Sequence, residues 1–219
     1  MKSILRDLAD ALRGTAMDYT QGSLVRAILL LSVPMILEMA LESIFAVVDV
    51  FWVSSLGPSA IATVGLTESV LTLVYAVAIG LSMGTTALVA RRIGEKDPNG
   101  AARAAVQAIA LGAGLAAGVG VAGAVAAPKL LAAMNAAPEV IRIGTNFTRV
   151  MLGGSFTVIL LFLINAAFRG AGDPTVSMRT LILANSINIV LGPLLVFGVG
   201  PFPRMGVTGA AVALSLIHI

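Results

Sequence analysis

Five stretches of this chain are long enough and apolar enough to cross a bilayer as helices. They run roughly 24–52, 60–89, 101–127, 147–168 and 176–199, and a sixth begins near Val207 and reaches the end of the sequence. A hydrocarbon core of ~30 Å is crossed by about 20 apolar residues in helical form. Lipid offers no partner to backbone N–H and C=O groups, so each crossing segment must satisfy its own. Period-two alternation, the mark of a membrane barrel strand, is absent. The expected fold class is all-α, a polytopic transmembrane helix bundle. Apolar residues make up 58% of the chain and charged residues 11%. Soluble domains average about 45–50% and about 25%, so too few charges remain here to coat a water-facing surface.

The connections carry turn chemistry. They are Ser55 to Ser59, Gly94 to Gly100, the segment bracketed by Pro128 and Pro138, Gly170 to Pro174, and Gly198 to Gly206. With the N-terminus placed inside and the spans alternating, 10 of the 14 Lys and Arg residues fall on the inner side. That asymmetry predicts a cytoplasmic N-terminus in a cell membrane. In residues 1–21, Ile4, Leu5, Leu8 and Leu12 recur at helical spacing among Lys2, Arg6 and Arg13, as in a short amphipathic helix on the inner surface. A frayed tail is the equal alternative. The third span is rich in Ala and Gly. Its Gly114/Gly118 and Gly112/Ala116 pairs have the small-xxx-small spacing that lets helices approach closely in lipid.

Several chemistries are excluded. There is no cysteine, and the single histidine, His218, is next to last, so thiolate sites, His-based metal centres and His-centred triads are not expected. Gly170-Ala171-Gly172 follows a membrane helix instead of a strand, so it is no dinucleotide loop. No phosphate-binding nucleotide loop is present, so any transport would draw on an ion gradient or a partner. The small net charge of +3 is no nucleic-acid footprint, and no cofactor is implied.

What remains are carboxylates in the spans: Glu38, Glu42 and Asp49 in the first, Glu68 in the second. A charge at a helix centre costs about 2.5–3.5 kcal/mol or more on insertion scales, which makes each a functional candidate. At ~100° per residue, Glu42 lies about 40° and Asp49 about 20° from Glu38, on one stripe of ~16 Å. One wet lumen would account for all three, and acids clustered in low dielectric favour the protonated form, which makes Glu38, Glu42 and Asp49 the candidates for proton or ion coupling. No Lys or Arg falls in the central part of a span to neutralise them. Asn185 and Asn188 in the fifth span and Asn165 in the fourth are candidates for the same cavity, although buried amides also simply bond neighbouring helices. Pro34 and Pro193 are expected to interrupt their helices, as around transporter sites.

Four segments together resemble the multidrug and toxic compound extrusion (MATE) family. They are Ser32-Val33-Pro34-Met35 with Phe45 to Gly57 around Val48-Asp49-Val50-Phe51-Trp52; Asn165-Ala166-Ala167-Phe168-Arg169-Gly170-Ala171-Gly172-Asp173-Pro174; Ile187 to Gly198; and Gly206-Val207-Thr208-Gly209-Ala210-Ala211. They fall in family order over roughly residues 22–213. The resemblance implies one six-helix lobe of a twelve-helix transporter with two lobes related about the membrane normal. It implies export of cationic or amphipathic compounds in exchange for H⁺ or Na⁺ and no enzymatic reaction. Asp49 would be the coupling residue, with Asn188 beside it and a Na⁺ near Asp49 as one form of coupling.

Two substitutions depart from the family pattern: Gly192 stands where some members have Asp, and Glu42 where Gln is commoner. Residues 214–219 no longer resemble the family, so a truncated sixth helix and a missing C-terminal lobe are expected. The rival readings are a lipid or lipid-linked oligosaccharide flippase, an intramembrane hydrolase built on Glu38 and Glu42, and an inert half-transporter. Expected partners are the bilayer, small cationic or amphipathic substrates and the second lobe.

Overall fold

The computed structural model describes Leu12 and residues 23–217. The expected surface helix of residues 1–21 lies outside the described residues except for Leu12, as do His218 and Ile219. Six helices follow in order: α1 (Leu24–Ser54), α2 (Pro58–Gly94), α3 (Pro98–Ala133), α4 (Pro138–Gly170), α5 (Thr175–Phe197) and α6 (Val207–Ile217). The first five are long and apolar enough to cross a membrane.

The helix boundaries follow from local chemistry. Proline stands at the start of α2, α3 and α4, where a missing N–H costs nothing and its fixed φ suits the first turn. Asp97 caps α3, its side chain accepting from the Gly100 N–H at 2.8 Å. Gly198 ends α5 in the left-handed region at φ 72°, a conformation open to glycine at no steric cost. Three expectations need correction. Pro128 lies inside α3 instead of marking its end. α4 starts at Pro138, well before the apolar span begins, because Glu139 and Arg142 pair one turn apart at 2.7 Å and carry the first turns into water. α1 and α5 run unbroken through Pro34 and Pro193.

Packing divides the bundle. α4 is the central helix, lying against α2, α3 and α6, while α1 pairs with α5 and α6 bridges α4 to α5. α1 meets α2 sparsely, and α4 meets α5 sparsely. A cleft therefore runs between the α1/α5 pair and the α2/α4 pair. Lipid supplies no hydrophobic drive for helix association, so contacts rest on small residues and interhelical hydrogen bonds. On α2 and α4, the Thr67 and Thr148 hydroxyls bond each other at 2.8 Å, fully buried. A Cβ at Gly144 would lie 2.7 Å from Thr63. On α6, a Cβ at Gly209 would meet the Leu195 backbone at 2.6 Å.

The α3 glycines split by face. Gly112, Ala116 and Gly120 form the buried stripe against α4, where a Cβ on Gly120 would sit 3.2 Å from the Gly153 carbonyl oxygen. Gly114 and Gly118 were expected to pack as well, but a Cβ on either meets nothing within 4 Å. Two residues of offset rotate them by about 200°, onto the opposite side of the helix. Gly120→Leu should therefore cost about 1–3 kcal/mol through overpacking against backbone that cannot yield, whereas Gly118→Leu should be close to neutral. Thermal unfolding of the two variants in detergent measures the contrast.

Candidate functional site

The cleft collects the polar groups of four helices. Asp49, about one and a half turns from the end of α1, is the best tied of them. Asn188 on α5 donates its Nδ2 to both Asp49 carboxylate oxygens, at 2.9 and 3.1 Å. This pair bridges α1 and α5. Asn188 is only 3% exposed, and its Oδ1 is buried without a partner. Beside that oxygen stands Gly192, whose Cβ would lie 3.9 Å away, at ordinary contact distance. The position that lacks a carboxylate therefore has room for a Cβ beside Asn188.

The other acids extend along the same cleft. Glu68 on α2 lies near enough to Asp49 for their charges to interact, and Glu42 is similarly close to Glu38. Tyr75, half-buried on α2, sits in the field of both Glu68 and Glu42. Glu38 is mostly enclosed, whereas Glu42 is exposed on the open side of the cleft. Among the described residues, no three carboxylate or imidazole groups converge tightly enough to hold a metal ion. The acids form a line across the cleft, not a cage.

One expectation fails here. Glu38 is not without a cation: the Arg169 guanidinium lies 3.6 Å from its carboxylate, with the two side chains 18% and 14% exposed. Arg169 also donates to the Ser82 hydroxyl at 3.4 Å. Arg169 occupies the last turn of α4, at the end of a span by sequence. Its long side chain reaches back along the cleft to the middle of α1, a path that span position does not reveal. One Glu38 oxygen, Oε2, is nevertheless buried without a partner.

The amides behave differently from one another. Asn185 is 5% exposed, and its Nδ2 is buried without a partner. Asn165 is half-buried on α4, and no hydrogen bond ties it to the acids among the described residues. Two further buried polar groups were not singled out in the sequence as site candidates. Ser177 carries a buried hydroxyl with no partner, and Trp52 a buried indole N–H with none. Trp52 packs edge-on against Phe197 of α5, ring centroids 6.2 Å apart. Trp52 lies about 40° from Glu38 on the α1 wheel, so the acid stripe itself could have flagged it. Ser177 had no such signal.

The MatE family profile matches residues 34–194, most of the chain. The chain belongs to the MatE family. A MOP superfamily transporter from Pyrococcus furiosus has the same fold, with a TM-score of 0.81 and 33% identity, over 95% of this chain and 44% of that one. Among curated relatives, the FAD transporter of Shewanella oneidensis is 29% identical over 86% of this chain and 42% of its own length. The probable multidrug resistance protein NorM of Thermotoga maritima is 32% identical over 85% of this chain and 40% of its own. The chain thus spans less than half the length of these relatives. It is a multi-pass membrane protein of a transporter family and not an enzyme, which removes the hydrolase reading of Glu38 and Glu42. Its fold corresponds to one half of the MATE architecture.

Within this MATE lobe, the Glu38–Arg169 pair can be tested directly. Removing one partner of an enclosed ion pair leaves an uncompensated charge, at about 3–5 kcal/mol when burial is complete. Neither side chain is completely buried, so Arg169→Gln should cost less, about 1–3 kcal/mol. Glu38→Gln added to it should recover more than half of that loss. Unfolding midpoints of the two single variants and the double variant in detergent close the cycle.

Proposed function

We propose that this chain is the N-terminal lobe of a secondary active MATE exporter, which moves cationic or amphipathic compounds outward in exchange for H⁺ or Na⁺. The observation that carries this reading is the Asp49–Asn188 pair, at 2.9 and 3.1 Å, inside a cleft lined by Glu38, Glu42 and Glu68. Among the described residues, Arg169 pairs with one of these carboxylates, Glu38. Such a surface attracts cations and holds them weakly enough to exchange. Relatives whose names carry multidrug resistance or export, in Bacillus subtilis and Staphylococcus aureus, support the substrate class.

Asp49 is the coupling residue in this reading. In one state its carboxylate is held by the Asn188 amide. In the other it takes a proton, or a Na⁺ shared with the unpartnered Asn188 Oδ1. Either event weakens the α1–α5 bridge, and α1 is the least buried of the five long helices, only 11% of its most apolar stretch being buried. Loading the ion and shifting α1 are thereby linked. Glu38 and Glu42 are coupling candidates beside Asp49, and Glu68, Asn165, Asn185 and Asn188 serve as wall groups that a substrate cation meets. A flippase for a phosphate-bearing lipid would need the opposite charge in the cleft.

The orientation proposed from the Lys and Arg distribution puts the N-terminus and the Arg91/Arg92 end of α2 in the cytoplasm of a cell membrane. The second lobe would complete the substrate chamber. In a two-lobed transporter carrying this lobe, Asp49→Asn should reduce resistance to a cationic dye to that of cells without the transporter, at equal protein in the membrane. Asn188→Ala should weaken efflux while leaving it measurable. Unchanged efflux in Asp49→Asn would remove the role assigned to Asp49. The dye's minimum inhibitory concentration and a membrane blot are the two readouts.

A further inference from the structure

Not every glycine in this bundle marks a helix contact. Gly80 and Gly84 on α2 both face open space, a Cβ on either meeting nothing within 4 Å. They lie one turn apart and form the floor of a groove of about 630 Å³ between α2 and α3. Its rims are apolar: Leu88 is 54% exposed and Leu111 65%. From Gly80 to Arg92 the groove runs ~18 Å at 1.5 Å per residue, close to the ~15 Å depth of one hydrocarbon leaflet. Its length and lining match an extended acyl chain lying between two helices.

One end of the groove is polar and positive. Arg92, Arg103, Asp97 and Gln107 line it there. Arg91, Glu95 and Lys96 are neighbours of this end in the chain. Both acids are already engaged: Glu95 is held by Arg91 and Arg92 at 2.8 and 3.1 Å, and Asp97 caps α3 through Gly100. Arg92 also stands 3.9 Å from Asp97. Arg103 forms no ion pair among the described residues; its Nε donates to the Asn99 carbonyl of its own helix at 3.4 Å. Gln107 follows one turn deeper on the same face. A cationic mouth above an apolar trough, at the depth of a headgroup, selects an amphiphile with a negative head.

We propose that the α2–α3 groove is a binding site for an anionic phospholipid. One acyl chain lies over Gly80 and Gly84, and the phosphate is held by Arg103, with Arg92 and Gln107 beside it. The choline of a zwitterionic lipid would meet the same cations and is disfavoured. This site is separate from the acid cleft and does not depend on the transport reading.

Native mass spectrometry of the purified chain, released from detergent with defined lipid added, tests it. Phosphatidylglycerol should bind more tightly than phosphatidylcholine by about five-fold per cation engaged, equivalent to the ~1 kcal/mol that each Lys or Arg contributes at an anionic membrane surface. Arg103→Gln should remove about one such factor, and Lys129→Gln at the other end of α3 none. A Cβ at Gly80 or Gly84 meets nothing within 4 Å, so Gly80→Leu with Gly84→Leu should keep the helicity and unfolding midpoint of the parent yet lose bound lipid. Inorganic phosphate at the same concentration should not displace phosphatidylglycerol. Equal binding of the two lipids, full retention in the Gly80/Gly84 double variant, or displacement by phosphate would each overturn the proposal.

Discussion

A carboxylate facing hydrocarbon is costly enough to dictate how a helix turns, and α1 carries three on one side. That constraint organises the bundle. α1 cannot present this stripe to acyl chains, so the stripe faces the cleft, where Asn188 and Arg169 meet two of its acids. The partners come from α5 and α4, so the acids that most penalise insertion also join helices distant in the chain. Because α1 otherwise packs little, these polar contacts make up much of what holds it.

The remainder of the bundle is assembled on other terms. α4 is held to α2 by a buried seam of threonines and to α3 by glycines and alanines pressed against its backbone. Close backbone approach of this kind is the main source of helix association where water is absent. The result has two parts of unequal firmness: a tight α2–α3–α4 group, and an α1–α5 pair attached through α6 and through the polar groups of the cleft. The cleft lies along the seam between them.

Much of this was legible in the sequence for a simple reason. Insertion into lipid is decided segment by segment, so long apolar runs identify the crossing helices without knowledge of their neighbours. The clustering of Glu38, Glu42 and Asp49 on one stripe followed from helical periodicity alone. The Asp49–Asn188 proximity came from family resemblance, since 139 residues separate the two. The ends of helices were less legible. Glu139 and Arg142 extend α4 into water by pairing with each other, which hydropathy counts against a helix. Gly114 and Gly118 had the right spacing for packing but lay on the wrong face, because spacing says which residues align and not which way the stripe points.

The sequence by itself determined that the chain crosses a membrane several times as helices, and that one helix carries acids on a single side. Both are properties of a segment taken alone, governed by transfer free energy and the 3.6-residue turn. Only the tertiary structure decided which groups those acids meet. Arg169 reaching back to Glu38, Asn188 holding Asp49, and the unpartnered oxygens left beside them depend on how α4 and α5 are placed against α1. No local pattern encodes that placement, because it is set by contacts between residues far apart in the chain.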